Sequence, residues 1–187
     1  VLGQESGGLC PDLFGLIRGK EVCYENLYQA FSRYCGALPA PLTLCGLSLG
    51  GVLALQYGIE HSDRVGALVL IGTQFVMPKG LLRLQNAMFR LMPGSMFSAS
   101  GLSKADTMRL SRSMMALDFR GCLARLRCPV LAVCGTGDHA NQKAARQLCR
   151  LVPQGELALI PGAGHEVNTD AHEALAEVLV RFLRPLP

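Results

Sequence analysis

The sequence has no C-x-x-C pair, no run of lysine and arginine, and no unbroken apolar run of the roughly 18 residues that a membrane helix needs. Each absence removes a class. Without ligand-type cysteine spacing, a zinc site is not expected. Without clustered basic residues interleaved with aromatics, the net charge of +4 reads as dispersed surface charge rather than a nucleic-acid groove. The charged fraction is also low, at 17% against 50% hydrophobic, which excludes a disordered chain and favours a thickly covered α/β core. No signal peptide, internal repeat or low-complexity segment is visible, and 187 residues suffice for one sizeable core.

Cysteine, by contrast, is plentiful. The eight residues Cys10, Cys23, Cys35, Cys45, Cys122, Cys128, Cys134 and Cys149 lie mostly inside apolar segments. They read as small core hydrophobes kept reduced, which points to a cytoplasmic setting.

The most informative stretch runs from Pro41 to Gly58, PLTLCGLSLGGVLALQYG. An apolar strand-like run leads into Gly46-Leu47-Ser48-Leu49-Gly50, a G-x-S-x-G pattern followed by Gly51, and then into an apolar helical run. A chain turning that sharply from strand to helix strains its backbone at the serine, and side chains beside it would collide with the neighbouring elements. Ser48 is thereby presented as a nucleophile. The helix that starts there directs its N-terminal amides at the atom under attack, with Leu49 N–H placed to stabilise an oxyanion.

Either side of this stretch, strands alternate with helices. A short strand is predicted at Leu9–Leu13, a helix over Tyr24–Leu38, and a doubly covered parallel strand at Val65–Ile71. Cys128–Cys134 and Glu156–Ile160 complete the strands, followed by helices at Ala140–Leu151 and Ala171–Leu183. Between Phe75 and Arg120 the pattern changes to short helical segments broken by Pro and Gly, and all seven methionines fall there. Methionine suits apolar surfaces that adapt to shape. The stretch reads as an inserted helical lid over 75–120, between core parts 1–74 and 121–187, with Met77, Met88, Met92 and Met115 as candidate substrate contacts. An ordinary core role on amphipathic helices is the competing reading.

In an open parallel sheet, ligands bind outside the carboxyl ends of the strands, and Ser48, Asp138 and His165 are predicted to lie there. A serine hydroxyl needs an imidazole to take its proton, and the imidazole needs a carboxylate to fix its tautomer. The rivals are weaker on context. His61, His139 and His172 sit on or beside helices in polar settings. Asp118 reads as a helix-end residue, and Asp170 as a carboxylate at the start of the last helix.

Gly-Leu-Ser-Leu-Gly-Gly at 46 to 51, Cys-Gly-Thr-Gly-Asp at 134 to 138 and Gly-Ala-Gly-His at 162 to 165, in that order, resemble the α/β-hydrolase fold family along nearly the whole chain. The resemblance implies a mostly parallel sheet with flanking helices and a helical lid. It implies catalytic Ser48, Asp138 and His165, no metal or organic cofactor, and a small-molecule ester or acyl substrate with a hydrophobic part. It also implies a strand ahead of Leu9 ending in His-Gly, which this sequence lacks. Val1-Leu2-Gly3-Gln4 stands as a remnant of that turn, with Leu2 N–H as second oxyanion donor, so the expectation is an N-terminally truncated member of the family whose strand at Leu42 has an unpaired edge. Carbon–carbon bond hydrolases and peroxidase-like members share the same constellation. A binding protein with an impaired site is the non-enzymatic alternative.

Overall fold

The computed structural model describes residues 8–184. These fall into two compact units: one formed by Pro39–Phe75 with the residues from Phe119 onward, the other by Cys10–Leu38 with Val76–Asp118.

The first unit is a four-stranded parallel sheet in the order β1 (Leu42–Leu47), β2 (Val65–Ile71), β3 (Val130–Gly135), β4 (Gly155–Ile160). The registers bring Leu47 opposite Ile71, Ile71 opposite Val133, and Gly135 opposite Ile160, so all four strands end along one edge. Burial follows position in the sheet. The central strands β2 and β3 are buried almost without a break, whereas β1 leaves Thr43 and Cys45 exposed. Among the described residues β1 pairs only with β2 and forms one edge of the sheet.

Alternation along the strands sends Val69, Ile71, Leu131, Val133, Ala158 and Ile160 to a core shared with Leu175, Leu179 and Phe182 of α7 (His172–Leu183). Helix α2 (Leu49–Glu60) packs on β1 and β2, and α5 (His139–Leu151) on β3 and β4. Gly58 of α2 leaves room for Leu68: a Cβ there would lie 2.8 Å from Leu68 Cδ1. The short α6 (Val167–Asp170) precedes α7.

The second unit is helical. It holds a 3-10 turn at Gly15–Ile17, α1 (Tyr24–Gly36), α3 (Lys79–Leu91), a 3-10 segment at Gly94–Ser100 and α4 (Lys104–Met114). Ser103 caps α4 by accepting the Asp106 N–H at 3.1 Å, while its hydroxyl donates to Asp106 Oδ2 at 2.6 Å. Tyr24 N–H donates to Ser113 Oγ at 2.8 Å and Asn86 Nδ2 to Ser111 Oγ at 2.9 Å, tying α1 and α3 to α4.

Two expectations need correction. Leu9–Leu13 is not a strand. Pro11 offers no N–H for a ladder, and Asp12 uses Oδ1 to capture the Gly15 N–H at 3.0 Å, starting the 3-10 turn instead. Nor are the cysteines uniformly core residues. All eight are free, but only Cys35, Cys128 and Cys134 are buried, while Cys10 and Cys45 are exposed. Among the described residues, no helix is long and apolar enough to cross a membrane, and no group of three or more His, Cys, Asp or Glu side chains is placed to hold a metal ion.

Candidate active site

Ser48 follows β1 directly and has φ 51°, the one non-glycine residue with positive φ among those described. The conformation is a strained one for an L-residue, of a kind that clusters at functional sites. It is held from both sides. Ser48 N–H donates to Ile71 O at 2.8 Å, and Ser48 O accepts from Val52 N in the first turn of α2 at 3.0 Å. Crowding explains two of the nearby glycines. A Cβ on Gly46 would strike the backbone of Gly50 and Gly51, and one on Gly51 would strike Thr73 Oγ1. Gly50, in contrast, faces open space, so the sequence-level argument for crowding applies to Gly46 and Gly51 and not to Gly50. Leu49 is the first residue of α2, and its N–H is one of the first-turn amides that find no partner within a helix. Leu2 lies outside the described residues.

Asp138 and His165 come from the loops after β3 and β4, which are stitched together. Gly137 N–H donates to Ala163 O at 2.8 Å, and Gly162 N–H to Thr136 Oγ1 at 2.8 Å. A Cβ on Gly135 would overlap the carbonyl oxygens of Ala163 and Gly164. The outcome is a 2.8 Å contact between His165 Nδ1 and Asp138 Oδ2. The Asp138 side chain is only 6% exposed and that of His165 is 42% exposed, so a buried carboxylate holds one nitrogen of a solvent-reachable imidazole. Asp138 occupies the N-cap of α5, yet its side chain makes no cap hydrogen bond.

The rivals are placed elsewhere. His61 packs at the end of α2 against the Tyr57 ring, with centroids 4.5 Å apart and the ring planes tilted by 39°. His139 is exposed on α5, and His172 opens α7. Asp118 is exposed in the helical unit. Asp170 does not cap the last helix. Its Oδ2 accepts the Gly164 N–H at 2.7 Å and so fastens the loop immediately before His165. The candidate methionines all lie in the helical unit: Met77 buried, Met88 exposed on α3, and Met92 and Met115 half-buried just beyond α3 and α4.

Gly72 belongs to none of the sequence motifs. It has φ +53°, and its N–H donates to Val133 O at 2.9 Å while the chain leaves β2. A Cβ at Gly72 would stand 3.0 Å from both Cε1 and Nδ1 of His165 and 3.4 Å from Asp138 Oδ2. The imidazole therefore lies over the residue that follows Ile71, whose carbonyl holds the Ser48 amide. Gly72→Ala is expected to push the ring aside; for a His165 that acts as a base, a misplacement of about 1 Å can cost about 100-fold in kcat. It also forces Ala into the left-handed region, at a cost of about 1–2 kcal/mol. Steady-state kinetics with a thermal melt reads both effects.

Beneath this site, Cys134 Sγ lies 3.5 Å from Gly135 O and 3.7 Å from Asp138 O. Burial, reinforced by the Asp138 carboxylate and partly offset by Arg146, pushes this thiol up from 9.0 to about 11. The folded protein keeps the proton after the unfolded chain has released it. Stability is therefore full below pH 9 and declines as pH approaches 11, by on the order of 3 kcal/mol. Urea unfolding between pH 8 and 11 should show this decline, and Cys134→Ala should make it shallower.

A family model described as the Alpha/beta hydrolase family matches residues 2–178. The chain belongs to the alpha/beta hydrolase family. Its similarity to solved alpha/beta hydrolase structures extends over most of the fold. A thermophilic esterase from Thermogutta terrifontis superposes with a TM-score of 0.73 at 20% identity, covering 87% of this chain and 72% of that one. The enol-lactonase from Burkholderia xenovorans LB400 gives 0.72 at 19%, with coverages of 87% and 73%. Among curated proteins, the polyketide synthase ThaQ of Burkholderia thailandensis is 31% identical in an alignment of 192 positions that covers 84% of this chain and 9% of ThaQ. The putative carbamate hydrolase RutD of Yersinia enterocolitica is 26% identical in an alignment of 170 positions that covers 74% of this chain and 61% of RutD. The chain thus spans about three fifths of RutD and less than a tenth of ThaQ.

Proposed function

We propose that this alpha/beta hydrolase is a serine hydrolase cleaving an ester or related acyl substrate with a hydrophobic part, by way of an acyl-enzyme. The observation that carries the reading is the Asp138–His165 contact at 2.8 Å, at the strand edge where Ser48 is held with φ 51°. Ser48 Oγ attacks the acyl carbon while His165 Nε2 takes its proton. Asp138 keeps the other imidazole proton on Nδ1 and balances the charge that develops. Leu49 N–H steadies the oxyanion. Collapse of the tetrahedral intermediate expels the alcohol, which receives the proton from His165. Water then repeats the sequence on the acyl-enzyme, releasing the acid and restoring Ser48. Met77, Met88, Met92 and Met115 supply adaptable apolar contacts to the substrate. The free cysteines fit a reducing, cytoplasmic setting.

A fluorophosphonate probe tests this whatever the substrate, because it reacts with the activated serine itself. Mass spectrometry should place the adduct on Ser48, and the adduct should be missing from Ser48→Ala and His165→Ala. A folded protein that takes up no probe would leave a non-catalytic binding role in place of hydrolysis.

A further inference from the structure

Asp138 stands at the N-cap of α5 with ψ 68°, outside the extended backbone that caps normally use, and its side chain makes no cap hydrogen bond. The Asn141 N–H goes to Asp138 O instead, at 3.1 Å. The donor that meets the carboxylate comes from a side chain three residues on. Asn141 Nδ2 donates to Asp138 Oδ1 at 2.9 Å and to Oδ2 at 2.7 Å, and stands 3.2 Å from His165 Nδ1. Asn141 is itself 9% exposed.

A second amide sets which way round Asn141 lies. Gln74, just beyond β2, donates from Nε2 to Asn141 Oδ1 at 2.8 Å and to Ala140 O at 3.0 Å. A carboxylate only accepts, so the Asn141 NH2 must face Asp138. The Gln74 NH2 only donates, so the Asn141 oxygen must face Gln74. Both neighbours impose the same orientation. Turned over, Asn141 would set oxygen against carboxylate and NH2 against NH2.

We infer that Asn141, oriented by Gln74, is a positioning residue that holds the Asp138 carboxylate on His165. The inference rests on the serine-hydrolase reading and deepens it. Without the Asn141 amide, the contact with His165 is the remaining side-chain hydrogen bond described for the Asp138 carboxylate, which is then free to turn away from the imidazole. Removing Asn141 also removes buried hydrogen bonds, so some stability is lost. The positioning role is marked by a fall in kcat larger than the fall in folded protein, where a packing role lowers the two together.

The test uses the purified chain with a short-chain p-nitrophenyl ester, thermal melts, and the low-field proton NMR signal of the hydrogen-bonded His165 Nδ1–H. Asn141→Ala is expected to lower kcat by about 30-fold with KM unchanged, in line with the cost of a misplaced catalytic group. Its melting temperature should fall but leave the protein folded at the assay temperature, and the Nδ1–H signal should be lost or shifted. Gln74→Glu, nearly isosteric, offers an acceptor where Asn141 needs a donor, and should reproduce the kcat loss by turning the amide over. Gln74→Met, which removes the donor without adding a competing acceptor, should lose less.

Unchanged kcat and an unchanged Nδ1–H signal in both Asn141→Ala and Gln74→Glu would overturn the inference. So would a kcat loss in both that merely tracks the folded fraction. If Asn141→Ala does not fold, a packing role gains ground, and Gln74→Glu then decides between the two. If wild type hydrolyses nothing and takes up no probe, the hydrolase reading fails separately, and the Nδ1–H signal, which needs no turnover, still tests the positioning.

Discussion

Ser48→Ala is expected to lower turnover by about a millionfold, and His165→Ala by a similar factor, because nucleophile and base act as one unit. For the same reason the double variant should be no slower than either single one, a non-additivity that separates a shared chemical step from two independent binding contributions. The effect is large because attack requires the serine proton to leave as the bond to carbon forms. With either partner missing, only the pre-aligned amides at the start of α2 and the binding of substrate remain. Position 48 offers an internal control through its backbone. At φ 51° any L-side chain is strained, so Ser48→Gly should melt at a higher temperature than Ser48→Ala while being equally inactive. Steady-state kinetics and thermal melts on the four variants and the wild type check the set. A Ser48→Ala protein with wild-type turnover would remove Ser48 from the mechanism.

Asp138→Asn carries the second largest expected effect, about 10,000-fold in kcat with the fold retained. The carboxylate accepts from His165 Nδ1 through Oδ2 and from Asn141 through both oxygens. An amide at this position has one oxygen and one NH2. If the NH2 faces His165, it donates to Nδ1 and leaves the imidazole proton on Nε2, where the ring can no longer accept the serine proton. If the NH2 faces Asn141, two donors confront each other. Both outcomes penalise the working tautomer. Asp138→Asn should bind substrate with a KM close to that of wild type, so the loss should appear in kcat. Asp118→Asn should be without effect on kcat, since Asp118 is exposed in the helical unit. Were Asp118→Asn the slower enzyme, the acid would have been misassigned.

Asp170 has a subtler role than either aspartate above. Its contact with the Gly164 amide holds the approach to His165, so the loop that delivers the imidazole is anchored by α6 as well as by the β3 loop. Gly72 acts from the opposite side, by leaving room for the ring. The candidate site is therefore defined by small residues and secondary polar contacts as much as by the three side chains that stand out in the sequence.

The amino-acid sequence alone determined the alternation of strands and helices, the strand–turn–helix at Ser48, and the order Ser48, Asp138, His165. These are local properties. Hydrophobic period, glycine placement and turn chemistry are written within a few residues of one another, and a parallel sheet then gathers the loops at the strand ends because its connections allow few alternatives. Only the tertiary structure decided that residues 10–38 pack with residues 76–118, since Tyr24 and Ser113, 89 positions apart, meet through a contact no local pattern records. It alone turned Leu9–Leu13 away from a strand, and it alone assigned purposes to Gly72, Gln74, Asn141 and Asp170. Gly72, Gln74 and Asn141 carry no periodic or motif signal, and Asp170 reads in sequence only as a helix-start carboxylate. Gly72 and Gln74 meet His165 and Asn141 from a distant part of the chain, an approach that does not exist until the sheet has formed. Asn141 and Asp170 bond groups three and six residues away, but the groups they hold, Asp138 and the loop before His165, come together only across the β3 and β4 strand ends.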